Sequence, residues 1–477
     1  MHYLSRLLTV LFVSMTIGIG TSFADNQTAD LSPINSAAGL PFRITIEQTP
    51  WELPEGFHSG VVGIYKEFWV LIAGRTNGLH GFTADNFPVE AQNTKIFVVN
   101  SLTGAVASRS LLDSSSGLNQ QQIDTLSVTS PQGYQVSQTL YMTGGYGIDT
   151  STATFSTKPV LTAFNLPGIV NWVLYPDNTS FSVRDNISQL YDPTFQITGG
   201  KMSKIGDVTQ LVFGQNFIGP YTDGSNGIYS EQVRRFRIKT IKPLSVEFLP
   251  ARPAVPDPNF RRRDLNVVPV IFNNQNDQGL VAYAGVFTPG NNAGVWTVPV
   301  TIRESSDPQM ADPNLPTTFK QGMNQYVSAI TGLYSRRYES MYNIVFGGLS
   351  YEYFSNGALV TDAEIPFLNQ VTTIKMDKNG LFTQYIMDNE YPVILSTQVN
   401  PGNPFYFGAG ANFIPHHTIR RYANGVINLD NIRTTTVLGY IVGGIKSTLQ
   451  NTNSRIDSSA SAYVFKVTLV PQRPTVQ

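Results

Sequence analysis

Six short apolar strands, each ending in glycine or another small residue, punctuate the chain at 68–75 (FWVLIAGR), 139–146 (TLYMTGGY), 210–215 (QLVFGQ), 280–287 (LVAYAGVF), 343–348 (NIVFGG) and 439–444 (GYIVGG). The first four recur about every 70 residues and the last two intervals are about 60 and 95; a unit repeated at such a period decides the whole fold. In the first repeat GVVGIY (60–65), FWVLIAG (68–74), TKIFVV (94–99) and AVASR (105–109) read as four antiparallel strands. The second repeat reads as a turn, LPG (166–168), followed by a strand, IVNWVL (169–174), and the fourth has TTFK (317–320) as its outermost strand. Repeats of this length are too long for solenoid coils. The expected fold class is therefore all-β, a six-bladed β-propeller. The last repeat lacks an outer strand, and PFRITIEQ (41–48) is left unassigned near the other end. Pairing it with AYVFKVTL (462–469) would close the ring and leave no open sheet edge.

Composition narrows the function. Of 477 residues only 14% are Asp, Glu, Lys or Arg, and the net charge is -1, which argues against a nucleic-acid partner. Arg6, the apolar run 7–20 and Ser22-Phe23-Ala24 read as a signal peptide over 1–24. A flexible segment over 25–40, a single propeller over 41–470 and a tail over 471–477 are expected to follow. The chain has no cysteine, which fits a bacterial periplasmic or secreted protein better than a disulfide-bearing eukaryotic one. A monomer with no membrane span after signal cleavage is expected.

The connections also carry information. Those joining the first strand to the second, and the third to the fourth, are short: KE (66–67), SLTG (101–104), DKNG (377–380). Those joining the second to the third span roughly 75–93, 147–158, 215–230, 287–294, 349–369 and 445–461. Long loops gathered on one face point to that face as the functional one. The loop 415–434 is the exception, placing His416, His417, Arg420 and Arg421 on the opposite face.

The five histidines (His2, His58, His80, His416, His417) form no spaced metal motif, and neither a thiolate nor a GxSxG elbow is present, so no metal and no cofactor is expected. GGYGID (144–149) lacks the following helix that a phosphate loop needs. Arg75 and the run 261–263 fall on the long-loop face, where guanidinium forks suit a carboxylate. Aromatic residues Phe82, Tyr146, Phe287, Tyr351 and Tyr353 and acidic residues Asp85, Asp149 and Asp223 lie nearby. The expected binding residues are Arg75, His80, Tyr146, Asp149, Gln215, Arg262 and Tyr351.

The endings Thr143-Gly144-Gly145, Phe346-Gly347-Gly348 and Val442-Gly443-Gly444, with turns such as Asn100-Ser101-Leu102-Thr103-Gly104, resemble kelch repeats. Elsewhere Ala-Gly-Arg and Phe-Gly-Gln replace the diglycine. Segments FQITGGKMSKIGD (195–207) and EQVRRFRI (231–238) resemble an uncharacterised group of bacterial secreted kelch-repeat proteins. The resemblance implies a kelch-like propeller and brings no activity with it; with the long loops on one face, the expected function is a binding module that holds a protein or glycan there. Galactose-oxidase-like members need a cysteine-linked tyrosine and histidine copper ligands, which this sequence does not supply. Kelch-type sialic acid mutarotases use an arginine and a carboxylate, and the alternative implied is a sugar mutarotase or lyase of that kind.

Overall fold

The computed structural model describes residues 34–474, apart from 82–85, 179, 223–224, 226, 274–276, 291–293, 356, 453 and 455. The expected signal peptide, His2, Phe82, Asp85, Asp223 and the last residues of the tail lie outside the described residues.

Antiparallel four-strand meanders follow one another and make a β-propeller. The first is Val61–Tyr65, Phe68–Ile72, Lys95–Asn100 and Val106–Ser110. The second is Gln132–Val136, Thr139–Thr143, Val160–Asn165 and Ile187–Tyr191, and the third is Lys201–Ile205, Val208–Val212, Val233–Ile241 and Leu244–Arg252. The fourth is Asn266–Ile271, Gln278–Tyr283, Val300–Ile302 and Gln309–Met310. The fifth is Ala329–Ser335, Ser340–Leu349, Phe367–Asp377 and Phe382–Ile386, extended at its edges by Asn35–Ser36 and Ile427–Asn428. Five blades are thus cut from continuous chain, rather than the six expected. The last repeat supplies only Tyr406–Pro415, Thr436–Ser447 and Val464–Pro471 as its main strands, and Phe42–Gln48 is the fourth member of that composite sheet. Seven residue pairs run from Phe42 opposite Pro471 to Gln48 opposite Phe465. Phe42, Ile44 and Ile46 face the core there, beside Val467 and Leu469.

Two expectations are corrected. Residues Leu166–Leu174 form an α-helix, α2, not a turn and a strand. Pro167 suits the first turn of a helix as well as it suits a β-turn, and Leu166, Ile169, Val170 and Val173 recur at helical spacing and are buried. The outermost strand of the fourth sheet is Gln309–Met310, not 317–320; two residues carry no alternation that a sequence pattern could reveal. A second helix, α1 (Gln120–Leu126), opens on a capping box between Asn119 and Gln122.

The strand endings have a backbone cause. Each second strand meets two successive residues with positive φ: Ala73-Gly74, Gly144-Gly145, Phe213-Gly214 and Ala284-Gly285 follow the strand's end, whereas Gly347-Gly348 and Gly443-Gly444 lie inside Ser340–Leu349 and Thr436–Ser447. That double left-handed turn brings the chain against the neighbouring sheet. The amides of Gly74, Gly145, Gly214 and Gly444 donate to the carbonyls of Val128, Ile197, Arg262 and Phe57. A Cβ at Gly144 would lie 1.8 Å from the carbonyl oxygen of Ile197. Gly144→Ala is therefore expected to cost roughly 3 kcal/mol, from backbone strain plus displacement of a neighbouring strand. Ala284→Gly, at the equivalent place in the fourth sheet, is expected to stay within about 1 kcal/mol of the parent, because lost strain and added chain entropy offset each other. Urea denaturation of both variants checks the contrast; equal midpoints would overturn it.

Candidate functional site

The double turn fixes which residue comes next, and that residue faces the propeller axis. The six are Arg75, Tyr146, Gln215, Val286, Leu349 and Ile445. Each lies opposite a residue that precedes or opens an innermost strand: His58 with Arg75, Thr129 with Tyr146, Thr198 with Gln215, Arg263 with Val286, Tyr326 with Leu349, and Ala409 with Ile445. All twelve line one cavity of about 390 Å³, a size that holds a small organic molecule. The wall is more apolar than polar, and Val286, Leu349, Ala409 and Ile445 give the later sheets an aliphatic side.

The floor is a closed cycle of backbone hydrogen bonds. Ser59 N–H donates to Gly410 O, Gly410 to Val327, Val327 to Asp264, Asp264 to Gly199, Gly199 to Ser130, and Ser130 back to Ser59, over 2.7–3.3 Å. Each of these residues has positive φ; five stand two positions before the innermost strand of a different sheet, and Gly410 lies within that of the composite sheet. Above the floor, long loops complete the wall with Leu79, His80, Phe87, Phe217, Tyr221, Phe287 and the exposed Glu364.

Arg75 is 2% exposed. Its Nε donates to Asn77 Oδ1 at 2.9 Å, one terminal nitrogen donates to Pro88 O at 2.8 Å, and the guanidinium lies over the Phe87 ring at 5.0 Å. No carboxylate lies within ion-pair distance of Arg75 among the described residues. Burial pushes its pKa down to about 10, which leaves it charged at neutral pH. Arg263 reaches the same cavity, donates to Tyr221 Oη at 2.6 Å and has Asp264 3.7 Å from its Nε. Burial lifts the Asp264 carboxyl above the usual range, and Arg263 opposes that lift. One flank is aromatic: Tyr146 packs on Phe87, Phe155 and Phe217 at 5.3–5.6 Å, and its hydroxyl donates to Gly219 O.

Burial, with Arg75 adding to it, pushes His58 down to about 3, and burial pushes His80 down to about 4. Both rings are neutral at pH 7. Unfolded chains take up these protons below about pH 6.5, while the folded protein resists until about 4 and 3. Their contribution to stability is whole above that window and is lost as pH falls through it. Glu352, pushed up to about 7 by burial, acts in the opposite sense between about 4.5 and 7. The difference between parent and His58→Asn isolates the histidine: its acid loss of stability between pH 6.5 and 4 is expected to be shallower by about one proton's slope. Urea midpoints at pH 7 and 4.5 measure it; identical slopes would show that His58 is not held neutral.

Of the residues singled out from sequence, Arg75, His80, Tyr146 and Gln215 line the cavity. Three do not. Arg262 is fully buried, stacked on Trp296 at 4.5 Å and bonded to Ala284 O, Val298 O and Met310 Sδ; its neighbour Arg263 takes the axial place. Asp149 accepts from Ser151 at a hairpin turn away from the axis. Tyr351 lies two residues past Leu349, which occupies the axial position instead. Phe287 lines the wall, whereas Tyr353 pairs with Val360 in a surface hairpin. Sequence reading missed Asp264, Tyr221, Tyr326 and Arg263. Nothing in the sequence marks the last two, because the left-handed residues that follow them, Val327 and Asp264, are not glycines. Among the described residues no group of three or more His, Asp or Glu side chains could hold a metal, and no helix is long and apolar enough to cross a membrane.

No protein-family model matches the chain, and no curated protein matches it. Among solved structures, one titled "Structure of YjhT" aligns over 88% of this chain and 98% of its own, at 11% identity and a TM-score of 0.45.

Proposed function

We propose that the protein is a kelch-like binding module, periplasmic or secreted, with the composite sheet as the sixth blade of its ring. Its ligand enters the axial cavity from the long-loop face and is a small anionic molecule or the anionic end of a glycan. The observation that carries this reading is Arg75: a buried guanidinium, held by two neutral acceptors, that opens onto a cavity and has no carboxylate partner among the described residues. A buried cation without a counter-ion is costly, and a ligand carboxylate supplies one in bidentate geometry. The flank of Tyr146, Phe87, Phe217 and Tyr221 offers ring faces for stacking, and Gln215 and Asp264 offer polar contacts for hydroxyl groups.

Calorimetric titration with sugar acids and their neutral parent sugars tests the reading. Sugar acids are expected to bind at least tenfold more tightly. Equal affinity for the neutral sugars overturns it, and silence toward both, on a glycan array as well, leaves a protein ligand.

A second reading rests on the proximity of Arg263 and Asp264 in the same cavity: a carboxyl of raised pKa beside an arginine suits sugar-ring isomerase or lyase chemistry. A mutarotation assay with sugar acids separates the two. Turnover abolished by Asp264→Asn, with binding retained, establishes the enzyme; no acceleration over buffer leaves the binding module.

A further inference from the structure

The loop over 416–434 is not absorbed by the axial site. It lies at the end of the propeller opposite the double-glycine turns, because an antiparallel pair of inner strands puts its connecting hairpin at the far end. It is built rigidly. Ile419, Ile427, Leu429 and Ile432 are buried in the core, Ile427–Asn428 pairs in parallel with the innermost strand of the fifth sheet, and Asn428 N–H donates to Arg420 O at 2.9 Å. Between its two arms is a second concavity, of about 380 Å³. Arg420 and Arg433 line it, with Thr418, Asn428 and Asn431.

Two properties set this basin apart. Its lining contains no acidic side chain, although the chain as a whole is nearly neutral. The adjacent carboxylate, Asp430, is turned away: it accepts from Ser335 Oγ at 2.5 Å and from Arg336 N–H at 2.7 Å. Neither Arg420 nor Arg433 has an ion-pair partner among the described residues. The lining is otherwise hydroxyl and amide, with Ile419 and Ile432 only at its back, so an apolar ligand finds little to bury.

We propose that this basin is a second, independent anion site and that it takes a phosphate or sulfate monoester. A carboxylate offers two coplanar oxygens to a guanidinium fork; a tetrahedral oxyanion presents more oxygens in more directions and so can pair with two forks at once. The cycle of backbone hydrogen bonds closes the axial cavity on the other face, so the two sites take separate ligands.

Calorimetry at low ionic strength, with inorganic phosphate and sulfate against chloride of equal ionic strength, reads the site. Both ions are expected to bind the parent protein, and the double variant R420Q/R433Q is expected to bind at least tenfold more weakly while keeping the parental circular dichroism spectrum and melting temperature. R421Q, next to the basin but outside its lining, is expected to change affinity less than twofold. Glucose 6-phosphate and glucose 6-sulfate then distinguish the two sources, and the tighter one identifies the ester. The proposal fails if the double variant binds as the parent does, if R421Q loses as much as R420Q, if phosphate binds no better than chloride, or if both esters are rejected.

Discussion

A chain that begins at residue 50 is expected not to hold the folded state at 25 °C. The strand Phe42–Gln48 is the fourth member of the composite sheet and is paired with Val464–Pro471 along its whole length. Phe42 and Ile44 are fully buried and Ile46 nearly so. Burying three such side chains is worth about 1.5–3 kcal/mol each, and the exposed edge of Val464–Pro471 adds unpaired backbone groups. The sum is about 5–9 kcal/mol, against a usual domain stability of roughly 5–15 kcal/mol. The strand also anchors its surroundings: Gln472 N–H donates to Pro41 O, and the Gln472 side chain reaches Ala37 O and Leu40 O. Thermal melting followed by circular dichroism checks the truncation. A synthetic peptide of residues 34–49 added in trans should restore the transition. Ile44→Ala, a milder form of the same change, should cost about 2–5 kcal/mol. A truncated chain that melts with the parent would show that the ring does not depend on this closure.

The second large effect is expected at Arg75. If a ligand carboxylate pairs with this guanidinium, removing the charge forfeits a charge-assisted interaction worth about 1.5–3 kcal/mol, and more in a site shielded from water. Arg75→Gln should therefore weaken sugar-acid binding by about 10- to 150-fold. It should leave the weak affinity for the neutral parent sugar within about twofold, because aromatic stacking is untouched. Stability is expected to hold or rise, since a buried unpaired cation is replaced by a neutral amide that can still donate to Pro88 O. Parallel titrations and melts of parent and variant decide the matter: equal losses for charged and neutral ligands would mean that the substitution had deformed the cavity rather than removed a counter-ion.

The axial wall was partly legible from the chain. The residue after each double left-handed turn faces the axis, so Arg75, Tyr146 and Gln215 stand at the same punctuation that reveals the fold. Leu349 stands at the same place in the fifth sheet, whereas Tyr351 is two residues further along the loop. The choice among Arg261, Arg262 and Arg263 was not available from sequence. It depends on the left-handed backbone of Asp264, φ 54°, which sets the phase of the side chains before it, and a non-glycine residue gives no sign that it will adopt that conformation. Tyr221 reaches Arg263 through the fold of a distant loop, whereas Asp264 is its chain neighbour and is set on the cavity floor by the cycle of backbone hydrogen bonds. The α2 helix was legible in principle from its apolar spacing, but Pro167-Gly168 between two apolar runs imitates a hairpin turn.

The closure by Phe42–Gln48 also sets a timetable. Its partner strand lies near the far end of the chain, and the bond from Gln472 to Ala37 spans 435 positions. During synthesis this strand therefore emerges well before its partner and waits, with Phe42, Ile44 and Ile46 uncovered, until Val464–Pro471 has been added. An apolar strand without a partner is a template for pairing with other copies. The interval between its emergence and its capture is the period in which a nascent molecule is most exposed to aggregation, and a factor that shields this segment would raise the yield of folded protein without changing its final stability.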